Sequence, residues 1–163
     1  KFAEVEYNTN ISIRRKGGII MLDVAQYLSV GKTAEVRKMI SEEDTVGNSS
    51  PALNQLLSTP ACVSLMVRAT MEAVEGDLPE GYITVGKSLW INHLMPTLMG
   101  TSISVRATLT EISGNRLVVD VVGTDSLGEI FNGRTERVVV NRIGLMDRAA
   151  ERAKELKEFR ERQ

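Results

Sequence analysis

The sequence of 163 residues holds a single histidine, His93, and a single cysteine, Cys62. Imidazole is the one side chain whose ordinary pKa lies near neutrality, so general acid or base chemistry at pH 7 falls to His93 or to a retuned carboxylate. His93 stands in the run Lys87-Ser-Leu-Trp-Ile-Asn-His-Leu-Met-Pro96. Upstream, Ser58-Thr-Pro-Ala61 reads as a helix start, with Thr59 as N-cap and Pro60 at the first helical position. Each of these residues also has an ordinary structural explanation. Thr59 is accounted for by capping, Cys62 as a small core residue, and His93 as an inward strand residue sharing the parity of Ile83, Val85, Leu89 and Ile91. One thiol forms no intramolecular disulfide, and one histidine with one cysteine makes no zinc site of the Cys/His type.

Composition narrows the field. The 20 basic and 21 acidic residues leave a net charge of −1, which argues against a broad basic face for nucleic acid. The cluster Arg14-Arg15-Lys16 reads as a solvated turn rather than a phosphate site. No apolar run approaches the ~20 residues that cross a bilayer, and no signal segment opens the sequence. The expectation is a metal-free cytoplasmic protein with one globular domain, free of nucleic acid and membrane partners.

The elements that must position His93 and Thr59 follow from hydrophobic period. Residues 10–22 suggest a small hairpin around Gly17-Gly18, inside an N-terminal extension, residues 1–30, in which Met21 offers a natural start. Lys32 to Ile40 reads as a strand, and Asp44 to Leu57, with Gly47, Asn48, Ser49, Ser50 and Pro51, reads as a loop or short irregular helix. Thr59 to Val74 is apolar over most of its circumference, which predicts a buried central helix. Period two then takes over: Tyr82 to Leu94, Thr101 to Ile112, Arg116 to Thr124 and Glu129 to Asn141 read as successive antiparallel strands. Gly144 to Gln163 closes the chain as a charged helix with Met146, Ala149, Ala153 and Leu156 on one stripe. One helix wrapped by a curved antiparallel sheet of about five strands, an α+β architecture, explains why that helix is apolar nearly all round.

That order, with Leu57-Ser-Thr-Pro-Ala-Cys-Val-Ser-Leu-Met66, Leu78-Pro-Glu-Gly-Tyr-Ile-Thr-Val-Gly86, Ile91-Asn-His-Leu94 and Gly133-Arg-Thr-Glu-Arg-Val-Val-Val140, resembles the hotdog-fold thioesterases, in particular the fluoroacetyl-CoA thioesterase branch. The resemblance runs over residues 31–142 and sets residues 143–163 apart as a terminal helix. It implies a catalytic set of threonine, glutamate and histidine, of which the threonine falls on Thr59 and the histidine on His93. The glycine and arginine that shape the family's acyl pocket fall on Gly86 and Arg137. The glutamate position falls on Val67, which can neither orient an imidazole nor act as a base. Glu72, five residues on, lies about 140° round the helix and is no simple replacement.

The resemblance implies hydrolysis of a small or medium acyl-CoA thioester, with coenzyme A entering as part of the substrate and no other cofactor. It also implies a homodimer or dimer of dimers, with helices side by side and sheets joined edge to edge. First-turn N–H groups from Ala61 onward are the natural donors to a thioester oxyanion. Because of Val67, the alternative is a hotdog protein that binds acyl-CoA or acyl-lipid without hydrolysis; a third reading is assembly through the terminal helix. For Arg137 the ordinary explanation is a charge on an edge strand, and for Gly86 a plain bulge.

Overall fold

The computed structural model describes residues 13–15, 18–20, 22–45 and 50–162. Strands β1 (Ile13–Arg15) and β2 (Gly18–Ile20) pair antiparallel, Ile13 opposite Ile20. This is the expected hairpin; Asn10 to Ser12 and Gly17 lie outside the described residues, as does Gly47 in the later loop. The main sheet contains β3 (Thr33–Met39), β4 (Tyr82–His93), β5 (Ser102–Ser113), β6 (Arg116–Thr124) and β7 (Glu129–Asn141). Its order is β3-β5-β6-β7-β4, antiparallel throughout, so β3 and β4 are its edges.

Helix α1 (Thr59–Val74) lies on the inner face of this sheet, against β3, β4, β5 and β6. Met66, Ala69, Ala73 and Val74 are fully buried there, against Val105, Leu109, Leu117, Val119 and Val121. Burying such side chains contributes about 1.5–3 kcal/mol each. The helix approaches closely because Gly133 has no side chain: a Cβ on it would stand 2.3 Å from the Trp90 carbonyl and 2.5 Å from Met66 Cε. Gly123 does the same for Phe131, whose ring would lie 2.2 Å from an added Cβ. The hotdog arrangement expected from the sequence is therefore present, with every main-sheet strand where the period-two pattern places it.

Two expectations need correction. Ser58, not Thr59, is the N-cap: its Oγ accepts from Ala61 N at 3.1 Å, while its own N–H donates to the Asp44 carbonyl at 2.8 Å, and Thr59 is the first helical residue. Parity along β4 is also broken. Gly86 faces Arg137 and Ser88 faces Glu136, so Lys87 is the extra residue of a β-bulge. The inward set is consequently Tyr82, Thr84 and Gly86 before the bulge and Leu89, Ile91 and His93 after it. His93 keeps the parity of Leu89 and Ile91 but not that of Ile83 and Val85.

Helix α2 (Arg142–Glu161) starts two residues earlier than expected, with the Asn141 side chain accepting from Gly144 N at 3.1 Å. None of its residues is buried, and Met146 and Leu156 are exposed. Lys154–Glu158 and Arg162–Glu158 pair at 3.9 and 3.6 Å as the spacing predicts; exposed pairs of this kind contribute a few tenths of a kcal/mol. No described helix is long and apolar enough to cross a membrane.

Candidate active site

Two backbone crossings bring the start of α1 to the end of β4. Leaving β4, Leu94 N and Met95 N both donate to the Ile130 carbonyl, at 2.9 and 3.1 Å, and the chain folds back alongside residues 53–57. There Leu57 N donates to the Thr97 carbonyl and Met99 N to that of Gln55, both at 2.8 Å. The helix entry is thus tied to the strand exit, which sets Thr59 against His93. Thr59 Oγ1 lies 3.0 Å from His93 Nδ1. Since Ser58 does the capping, the Thr59 hydroxyl is free for this contact. Cys62, one turn on, brings Sγ to 4.0 Å from His93 Nε2.

The oxyanion donors expected from Ala61 onward are already engaged: Ala61 N on Ser58 Oγ and Cys62 N on the Ser58 carbonyl at 3.1 Å. Pro60 has no N–H, so among the described residues Thr59 N is the first-turn donor left without a partner. Around the pair the surface is apolar. Leu53, Leu94, Met95, Leu98 and Met99 are all exposed on the two paired loops.

A carboxylate beneath the loop was missed by sequence reasoning. Asp44 is buried, with Oδ2 accepting from Ser41 N and Ser41 Oγ at 2.9 Å each and Oδ1 2.7 Å from Lys38 Nζ. Burial alone would raise its pKa, but the Lys38 and Ser41 bonds together hold it below the ordinary aspartate value. Its backbone carbonyl fixes Ser58, so Asp44 anchors the helix entry. The spacing Ser41-x-x-Asp44 was the available signal, a capping-box pattern.

Gly86 and Arg137 lie elsewhere in the chain. Arg137 is opposite Gly86 in register, whereas His93 is opposite Phe131; the six-residue offset along β7 amounts to ~20 Å at ~3.3 Å per residue. The edge-strand explanation of Arg137 fails, because β7 lies between β6 and β4 and Arg137 is 4% exposed. Its Nε donates to Thr84 Oγ1 at 2.7 Å and its Nη2 to the Thr84 carbonyl at 3.0 Å. Glu75 Oε1 accepts from Thr84 N and Oγ1 at 2.9 and 2.6 Å and stands 3.8 Å from Arg137 Nη2. Burial pushes the guanidinium below the usual arginine range, and Glu75 partly offsets this. The bare Cα of Gly86 borders Arg137 Nη1, which a Cβ would meet at 3.9 Å. Gly86 is thus both bulge neighbour and the opening beside a buried cation.

Val67 is half-buried on α1 and offers no polar atom; Glu72 is held by Arg68 at 3.0 Å on the exposed side of the helix. A hollow of about 560 Å³ opens on the outer face of the sheet around Trp90, Val122 and the Arg134–Asp120 pair. It contains neither Thr59 nor His93, and the chemistry of the inner face does not reach it.

The profile of the fluoroacetyl-CoA-specific thioesterase family matches residues 40–143. The fluoroacetyl-CoA thioesterase of Streptantibioticus cattleyicolor is 30% identical over 87 residues, 53% of this chain and 63% of that enzyme. The chain therefore spans less than two thirds of this curated relative. The crystal structure of a hot-dog-like protein from Thermanaerovibrio acidaminovorans is 33% identical and superposes with a TM-score of 0.77 over 80% of this chain and 97% of that one. A variant of the fluoroacetyl-CoA-specific thioesterase crystallised with fluoroacetate and CoA is 26% identical, with a TM-score of 0.66 over 72% of this chain and 99% of that one. From Gly144 onward, α2 lies beyond the stretch that the family profile matches.

Proposed function

The chain belongs to the fluoroacetyl-CoA-specific thioesterase family, and from that membership we propose that it hydrolyses a small or medium acyl-CoA thioester with Thr59 and His93 at the reaction centre. The observation that carries the proposal is the 3.0 Å contact between Thr59 Oγ1 and His93 Nδ1. An attacking hydroxyl, that of Thr59 or of a water it holds, gives its proton to Nδ1 as oxygen adds to the thioester carbonyl. Thr59 N, at the positive end of α1, faces the charge that develops on the carbonyl oxygen. The C–S bond then breaks, and the imidazolium returns the proton to the departing thiolate. Where Thr59 is the attacking group, a water then adds to the acyl-Thr59 ester with its proton passing to Nδ1, and the C–O bond breaks to free the acid as that proton returns to Thr59 Oγ1.

The offset of Gly86 and Arg137 from this pair supports a homodimer as the working unit. The free edge of β4 is long enough to pair antiparallel with that of a second copy, which would carry the Gly86 end of one chain toward the His93 end of the other. We place the protein in the cytoplasm, where a free thiol such as Cys62 persists.

The test is thiol release from a panel of short, medium and aryl acyl-CoAs by the wild-type protein, His93→Ala and Val67→Glu. Turnover by the wild type that His93→Ala abolishes is the expected result. Turnover that first appears with Val67→Glu would instead make the natural chain a binder of acyl thioesters.

A further inference from the structure

Thr59 and Cys62 stand three residues apart on the first turn of α1 and so share a face. Both meet the same imidazole, the hydroxyl at Nδ1 and the thiol at Nε2. Thr59 Oγ1 and Cys62 Sγ are the side-chain heteroatoms that reach this ring among the described residues, and no described carboxylate does. Cys62 is completely buried. Burial pushes its thiol up to about 12, so at neutral pH it is an uncharged S–H rather than a nucleophilic thiolate.

An imidazole that takes a proton on Nδ1 must present a lone pair there and carry its hydrogen on Nε2, and which nitrogen is protonated is set by the bond the other makes. We propose that Cys62 is the positioning residue for His93: its sulfur accepts the Nε2–H and fixes the ring in the tautomer whose Nδ1 lone pair faces Thr59. The inference rests on the reading of Thr59 and His93 as the reaction centre. It gives the chain a partner for the imidazole where Val67 provides none. When the attacking O–H breaks, its proton becomes Nδ1–H, Nε2–H stays on the sulfur, and the Nδ1 proton passes to the leaving thiolate. With the other tautomer, Nδ1–H would donate to Thr59 Oγ1 and could not accept its proton.

The single histidine and single cysteine make both partners visible without overlap. Nitrogen-resolved NMR of the imidazole in the full chain, without substrate, should show the Nε2–H tautomer. Cys62→Val, which fills the space but removes the acceptor, should give a tautomer mixture and lower kcat about fivefold, the factor an ordinary hydrogen bond carries, with KM unchanged. Cys62→Ser, which restores an acceptor, should recover the tautomer and most of kcat. If Cys62→Val fails to fold, the infrared S–H band of Cys62 in His93→Ala replaces it, and a shift from the wild-type band is expected. An Nδ1–H tautomer in the wild type, an unchanged tautomer and kcat in Cys62→Val, or an unmoved S–H band would overturn the assignment. A wild type without thioester turnover would reject the proposed function, while the imidazole spectrum would still decide the role of Cys62.

Discussion

The two ends of β4 carry polar residues of opposite character. At the end near Gly86, Arg137, Thr84 and Glu75 satisfy one another inside the protein. At the other end His93 meets, among the described residues, one hydroxyl and one distant thiol, beside a rim of exposed leucine and methionine. A buried network completed by its own members holds a strand pair in place. A sparsely partnered imidazole next to apolar surface leaves interactions for a ligand to complete. Within a single chain, one end of the strand is thus held by its own network and the other is left open to a ligand.

Removing the central group from each end should separate the two roles. His93→Ala should lower kcat/KM by about 10²–10⁴-fold, the range of a general acid or base, and leave the thermal midpoint nearly unchanged. Arg137→Ala should act on stability, costing about 3–5 kcal/mol in urea unfolding by stranding the partners of a buried cation. Equal stability loss in the two variants would break the comparison.

A finer cut falls between neighbours. Ser58→Ala should cost about 1 kcal/mol of stability through loss of the cap, whereas Thr59→Ala should leave unfolding nearly unchanged and reduce thioester turnover. An exchange of these outcomes would return Thr59 to the cap. The smallest effect concerns the anchor beneath the helix entry. Asp44 has a folded pKa below its ordinary 3.8, so its contribution is present above that value and is lost as pH falls through the folded pKa. The urea midpoint should therefore drop on acidification below 3.8, and Asp44→Asn should flatten that part of the curve.

Much of this was legible because it is periodic. The alternation of Ile103, Val105, Ala107 and Leu109 places β5, and the apolar circumference of residues 62–74 places α1 inside the sheet. What failed depended on contacts between distant segments. Ser58 and Thr59 are both good caps, and the choice was made by the Asp44 carbonyl fourteen residues away along the chain. Arg137 could be assigned to a strand, but strand order, which puts β7 inside the sheet, is not written in that strand's own pattern. Of the site, the pair Thr59 and His93 was anticipated from the family resemblance and is brought together here. The role of Cys62 beside the ring was not, since a small buried residue is its ordinary reading.

Gly86 and His93 are an odd number of positions apart, yet both look inward, and the extra residue at Lys87 is what reconciles them. A bulge of this kind acts like a compensating insertion in a reading frame: upstream and downstream are each in register, and the count between them carries the meaning. Substitutions in the stretch from Lys87 to Asn92 alter letters, whereas gaining or losing one residue there would shift the frame and turn the imidazole out of the protein. Chain length across this strand is thus inherited information as binding as the identity of any residue in it.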